Sequence, residues 1–213
     1  MMATFAVVTG LSGVLQAFPS SRLVRPPGVF VESDFLESCI RCRACVNVCP
    51  PQCLDLAHLN AGIQNVGTPF LATPNKYCIV FYGFKYPPVS ESSVKATAKV
   101  SSEWKAAHEN GELCVQCVKV CPTHALKPVE LSQFHMGTAV VHKEHCLAWL
   151  YGTCSFPCID ACMFNAISLT GFNARDLTVG PVVDVTKCVG CNQCSYVCLA
   201  RQSGPTGIEA EPS

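Results

Sequence analysis

Residues 39–50 read Cys39-Ile40-Arg41-Cys42-Arg43-Ala44-Cys45-Val46-Asn47-Val48-Cys49-Pro50, a C-x2-C-x2-C-x3-C-P run. Two-residue spacers turn consecutive thiolates inward onto one inorganic core and leave backbone N–H groups free to face the sulfurs. This is the spacing that holds a cubane iron–sulfur cluster. The fourth Cys of such a run usually reaches away to a different cluster, and the proline after it keeps the local helix from absorbing that Cys. Zinc favours two separated C-x2-C knuckles, so three closely spaced Cys followed by a fourth suit it poorly.

The pattern returns three times. Cys188-x2-Cys191-x2-Cys194-x3-Cys198 repeats it in full without the proline, and Cys114-x2-Cys117-x3-Cys121-Pro122 gives its last three ligands and the proline. A looser group follows at Cys146, Cys154, Cys158 and Cys162. Cys78 stands 36 positions before Cys114. Removing residues 79–111 would place Cys78 before Glu112-Leu113-Cys114 and restore the full run, so 79–111 reads as an insertion and Cys78 as the first ligand of the second group. The three-residue spacer between third and fourth Cys holds in every group. Four groups of four imply four [4Fe–4S] clusters.

Composition bears on two alternatives. With 17 cysteines in 213 residues a disulfide scaffold has to be considered. The odd count and the close spacing argue against it, because cysteines three residues apart bridge poorly. Apolar residues make up 49 % of the chain, but that figure counts Cys; without them roughly 41 % remains, thin for this length. Clusters then act as nuclei of the fold, with metal binding coupled to folding. The formal charge is zero, with 15 basic and 15 acidic residues and no basic run, so nothing points to nucleic acid. Four oxidised cubanes with four thiolates each would bring the loaded chain to about −8.

Residues 1–18 carry no charge and are mostly apolar, with no positive region before the apolar stretch; Arg22 and Arg25 come after it. Residues 1–28 are expected to form an export or membrane-anchoring segment and a linker, the alternative being a buried N-terminal element. Val24-Arg25-Pro26-Pro27-Gly28 reads as that linker, since its prolines and glycine break regular structure. From residue 29 to 213 one unit recurs: a strand, a cysteine loop, a short helix and a returning strand. Strand lead-ins are expected at Val29-Phe30-Val31, Ala139-Val140-Val141 and Val182-Val183-Asp184-Val185, with returning stretches at Ala125-Leu126 and Ala166-Ile167-Ser168-Leu169. A helix is expected over 34–38, and another, capped by Ser102 and ended by Gly111, over 103–110 in a solvated flap. The fold class is α+β, with tandem or nested ferredoxin-like units of short strands and helices around iron–sulfur clusters.

Arg25-Pro26-Pro27-Gly28, the first cysteine run, Gly67-Thr68-Pro69-Phe70, Cys121-Pro122-Thr123-His124-Ala125-Leu126 and the last cysteine run fall in an order that resembles the MauM/NapG family of ferredoxin-type proteins. The resemblance covers nearly the whole chain from about residue 24. It implies a four-cluster electron carrier, not an enzyme, on the periplasmic face of the bacterial inner membrane. It also implies a membrane-embedded quinol-oxidising ferredoxin-type subunit as donor, and a downstream redox protein feeding a periplasmic reductase such as nitrate reductase. This sequence departs from the family pattern in three ways. It has no twin-arginine pair, the insertion splits the second motif, and Cys154-x3-Cys158 with Met163 replaces the usual spacer and proline. If residues 1–28 are not an export signal, the carrier is cytoplasmic, a polyferredoxin subunit of another oxidoreductase complex.

No G-x-G-x-x-G follows a strand, no nucleophile–base pattern stands out, and no C-x3-C-x2-C radical-enzyme run occurs. His145 beside Cys146 is read as structural, and Cys53 as a buried small hydrophobe. A zinc-stabilised interaction scaffold is the alternative of a different class. Since each cluster takes its fourth ligand from another run, two pairings are open: neighbours in sequence, or outer with outer and inner with inner. The intact outer runs and the family resemblance favour nesting. Cys39, Cys42 and Cys45 are then expected with Cys198, and Cys188, Cys191 and Cys194 with Cys49. Cys78, Cys114 and Cys117 are expected with Cys162, and Cys146, Cys154 and Cys158 with Cys121.

Overall fold

The structure, a computed structural model, describes residues 22–80, 113–170, 179–202 and 204–212. The expected apolar segment at 1–18, all but two residues of the 79–111 insertion and the 103–110 helix lie outside the described residues. All seventeen cysteines lie within them.

Two units follow one another along the chain. The second, C-terminal unit is the more regular. Strand β3 (Thr138–Val141) leads into the third cysteine group, with helices α4 (Leu147–Tyr151) and α5 (Pro157–Asp160), and β4 (Ile167–Leu169) returns from it. Strand β5 (Pro181–Val183) leads into the fourth group with helix α6 (Gln193–Tyr196), and β6 (Ile208–Glu211) returns. The outer strands β3 and β6 pair antiparallel with Ala139 opposite Ala210, and the inner strands β4 and β5 pair antiparallel with Ser168 opposite Val182. Strands of three or four residues and helices of one turn are too short to persist alone, so the unit holds by packing around its cysteines.

The first unit has helices α1 (Glu32–Ser38) and α2 (Ala44–Val48), then β1 (Leu54–Leu56), β2 (Pro69–Leu71) and α3 (Gln116–Lys119). Its inner pair is present, β1 antiparallel to β2 with Asp55 opposite Phe70. Its outer pair is reduced to one hydrogen bond, from the Lys127 N–H to the Gly28 carbonyl oxygen at 2.9 Å. The strands expected at Val29-Phe30-Val31 and Ala125-Leu126 are therefore absent. Pro26, Pro27 and Pro128 flank that bond and have no N–H with which to extend a ladder. A Cβ on Gly28 (φ +90°) would collide with the Lys127 backbone, so this close approach needs glycine.

Residues 24–28 are not a linker. Val24 and Arg25 are buried, and Pro26 and Pro27 are fully so. The Arg25 guanidinium donates to the Glu32 carboxylate, to Thr68 Oγ1 at 2.9 Å, to the Pro69 carbonyl at 3.0 Å and to Asn65 Oδ1 at 2.7 Å, and it lies over the Phe35 ring. A buried guanidinium is tolerated because every face of it is occupied. It clamps the stretch before the first cysteine loop to the turn before β2, which explains why the Arg25-Pro26-Pro27-Gly28 and Gly67-Thr68-Pro69-Phe70 runs occur together.

Cysteines are part of the core. One apolar cluster joins Cys53, Cys78 and Cys117 to Val24, Phe35, Leu71, Leu126 and Phe134, and reaches Val189 of the second unit. A smaller one joins Cys158 and Cys194 to Ala139, Ile167 and Ile208. Among the described residues no helix is long and apolar enough to cross a membrane.

Candidate functional site

Each cysteine group has the same local backbone. The N–H of the fourth Cys donates three residues back, from Cys49 to Val46, Cys121 to Val118, Cys162 to Ile159 and Cys198 to Ser195, at 3.4, 3.2, 3.0 and 3.1 Å. The fourth Cys carbonyl then accepts from three residues on: Gln52, His124, Asn165 and Arg201, at 3.0, 3.3, 3.1 and 3.3 Å. The irregular third group follows this pattern like the others. Gln52, His124 and Asn165 are left-handed at these turns, with φ of 50°, 53° and 49°.

The loops that carry the first three Cys of the outer runs also match. The residues on either side of the middle Cys are left-handed: Arg41 (φ 58°) and Arg43 (φ 64°) around Cys42, Gly190 (φ 72°) and Asn192 (φ 67°) around Cys191. For a non-glycine residue this costs about 1–2 kcal/mol, a strain that clusters at functional sites. Arg41 is held in place by donating to the Val66 carbonyl at 2.8 Å and the Gln64 carbonyl at 3.2 Å.

Four thiol sites result. Site I brings Cys39, Cys42 and Cys45 together with Cys121 around one cavity. In site II Cys78, Cys114 and Cys117 meet Cys49 around a second. Site III joins Cys146, Cys154 and Cys158 to Cys198 around a third. At site IV the Cys191 thiol lies within electrostatic reach of Cys188 and Cys162, and Cys194 within reach of Cys188 and Cys191. The nested pairing is thus overturned. Cys121, not Cys198, faces Cys42, and each fourth Cys is exchanged with its sequence neighbour. The reason is strand pairing: β6 closes onto β3 of its own unit, which brings Cys198 back to the third group.

The sites also have an order. Cys45 of site I lies within electrostatic reach of Cys117 of site II, and Cys158 of site III within reach of Cys194 of site IV. Sites II and IV meet where the two units join, through the Cys78 N–H donating to the Cys191 carbonyl at 2.9 Å. Asn192 fixes this junction, its Nδ2 donating to the Lys76 carbonyl at 2.8 Å and its Oδ1 accepting from the Ala210 N–H at 3.0 Å. Beside it the Tyr77 and Tyr196 rings pack at 4.7 Å. Gly190 admits the approach of Gly137, whose backbone occupies the space a Cβ would need. The row runs I, II, IV, III.

Burial raises the thiols. Cys45 is pushed up to about 11, first by burial and then by Cys39 and Cys42. Burial, with Cys154, Cys198 and Cys146 adding, takes Cys158 to about 12, and burial also takes Cys191 to about 12. Crowded buried thiols of this kind ionise only against a metal's charge. The fourth ligands differ. At Cys121 burial is outweighed by the Leu126, Thr123 and Ala125 N–H groups and the Thr123 hydroxyl, and its pKa falls. Cys49 falls to about 7, chiefly through its contact with Cys53. Cys53 is buried as expected, but it also lines site II, a role that one-sequence spacing could not disclose.

The donor sets fit cubanes. Four thiols line the cavity at site I, four that at site III and five that at site II, and N–H groups reach sulfurs, from Ala139 to Cys188, Phe156 to Cys154 and Ala166 to Cys162, each at 3.3 Å. Zinc would need four ligands within about 2.3 Å of one point. Among the described residues no three His, Cys, Asp or Glu side chains close on a single ion in that way.

No family model matches the chain. It is 32 % identical over 193 residues to the methylamine utilization ferredoxin-type protein MauM of Methylobacillus flagellatus, covering 87 % of this chain and 68 % of that protein. With the ferredoxin-type protein NapG of Escherichia coli it shares 31 % identity over 215 residues, covering 94 % of this chain and 76 % of that one. One solved chain, from a formate dehydrogenase–heterodisulfide reductase–formylmethanofuran dehydrogenase complex of Methanospirillum hungatei, aligns over 84 % of this chain and 51 % of its own at 20 % identity, and its TM-score of 0.28 is too low to carry an argument. Identity near 30 % sustained over most of both sequences, in MauM and NapG alike, places this chain in the MauM/NapG family of ferredoxin-type electron-transfer proteins.

Proposed function

We propose that the chain holds four [4Fe–4S] clusters and carries electrons along them between two partners. The observation that carries this reading is the row of four thiol sites I, II, IV, III, joined across the two units by the Cys78–Cys191 hydrogen bond. Each cluster, when bound, supplies one-electron uptake and release. The chain's own residues hold the thiolates, exclude water from much of site II and fix the distance between neighbouring sites. Cys78, Cys114 and Cys117 of site II are buried, as are Cys146 and Cys158 of site III, whereas Cys42, at the site I end, is exposed.

Site I opens to the surface, where Ile40 is 61 % exposed beside Cys42. At site III, Cys146 and Cys158 are buried, and the lining residue Leu199 is 37 % exposed. By analogy with the family, the donor is a membrane-embedded quinol-oxidising ferredoxin-type subunit. The acceptor is a downstream redox protein on the periplasmic face of the inner membrane.

Stoichiometric reduction tests the reading. Protein purified without oxygen, titrated with dithionite, should take up about four electrons per chain with bleaching of a broad blue absorption. A colourless protein that takes up none is a zinc scaffold instead.

A further inference from the structure

Four sites need sixteen of the seventeen cysteines, and Cys53 is the one left over. It stands four residues after Cys49, where Ala125 follows Cys121 and Ala166 follows Cys162. All three residues are buried, and each comes directly after the left-handed turn residue. Their backbone N–H groups serve the ligand sulfur alike, from Ala166 to Cys162, from Ala125 to Cys121 and from Cys53 to Cys49. At Cys49 alone among these three the side chain adds a further contact, with Cys53 Sγ 3.4 Å from Cys49 Sγ. The same thiol borders Cys78 across the site II cavity. The Cys53 backbone is fixed by the Ala72 N–H donating to its carbonyl at 2.9 Å, so the sulfur is held there.

A ligand cysteine is a thiolate and has no proton to give. Cys53, 1 % exposed, is the thiol at site II beyond the four that a cubane takes, and a cysteine that binds no iron carries an S–H. The S–H therefore donates from Cys53 to Cys49. A thiol is a weak donor, but a charged acceptor in a dry site strengthens the bond. Reduction adds negative charge to a cluster and its sulfurs, so a donor to a ligand sulfur stabilises the reduced form more than the oxidised one.

We propose that Cys53 is a positioning residue whose S–H, held against Cys49, sets the potential of site II above the value its backbone donors alone would give. The inference rests on the four-cluster reading. Its consequence is a site II that takes up an electron more readily than its backbone donors alone would allow, next to the Cys78–Cys191 junction between the units.

Potentiometric titration of the loaded full-length chain, followed by electron paramagnetic resonance, tests it in the unsubstituted protein, Cys53→Ala and Cys53→Ser. Alanine at the two equivalent positions shows that this turn accepts the smaller side chain. Cys53→Ala should keep its iron and move one reduction wave to lower potential. The expected size is about a tenfold fall in the reduced-to-oxidised ratio at fixed solution potential, about 59 mV for a one-electron couple. Cys53→Ser, whose hydroxyl also donates, should restore most of the shift. Unmoved waves at full iron content, or an equal shift in Cys53→Ser, overturn the inference. Loss of one cluster's iron in Cys53→Ala overturns it too, by making Cys53 a ligand. A four-cluster reading that is itself wrong shows in the unsubstituted protein, as iron missing before any variant is compared.

Discussion

The backbone N–H of Cys78 donates to the carbonyl oxygen of Cys191 at 2.9 Å. One residue belongs to site II and the other to site IV, so the units meet through the backbone of two cysteines. Cys78 is followed by a long insertion in sequence, yet Cys78 and Val80 are buried and the Cys114 N–H donates to the Val80 carbonyl at 2.5 Å. The insertion thus leaves and rejoins at the site, and Cys78 is available both to its own site and to the junction.

The exchange of fourth ligands between neighbouring runs has a signature in double variants. Cys42→Ala and Cys121→Ala each empty site I, so combining them should cost no more iron than either alone, about four per chain. Cys42→Ala with Cys198→Ala should empty sites I and III and cost about eight. Iron counts on the purified variants distinguish the two; the reverse pattern would restore the nested pairing.

Arg25 is the clamp of the first unit. Arg25→Ala leaves Thr68, Asn65 and the Pro69 carbonyl buried without their donor, and should lower stability by about 3–5 kcal/mol. Arg25→Lys should recover little, because an ammonium cannot reproduce the fork. Glu32 is half exposed, so Glu32→Gln should cost under about 1 kcal/mol. Denaturant unfolding of the loaded proteins measures all three.

How much of this was readable in the sequence depended on range. Spacing alone assigned each Cys to its loop, and the apolar stretches at Ala139–Val141, Val182–Val183 and Ile167–Leu169 do lie in strands. Those are local properties. Which fourth Cys reaches which site is decided by β6 pairing with β3 some 70 residues away, and no local signal carries that register. Pro26 and Pro27 were misleading for a different reason. Proline breaks regular structure equally in a linker and in a packed corner, and only the Arg25 contacts tell the two apart. Cys53 looked like a small hydrophobe because burial was all that its spacing implied.

The raised thiols set the pH response of a folded chain stripped of its clusters. With Cys45 at about 11 and Cys158 and Cys191 at about 12, that chain keeps protons which the unfolded chain releases above about 8.5. Their contribution is complete below that pH and is lost as pH rises toward 11 to 12. Cys49, lowered to about 7, and Cys121, also lowered, act in the opposite sense and are outnumbered. The denaturant midpoint of the stripped chain should therefore be lower at pH 10.5 than at pH 8. A midpoint that rises over this interval would mean that these thiols are not buried together in the absence of metal.

Iron and acid-labile sulfide, measured per chain on protein purified without oxygen, test the four-cluster assignment most directly. Sites I to IV predict about sixteen of each. A value near eight would contradict it by leaving two of the four sites without clusters, and zinc without labile sulfide would contradict it altogether.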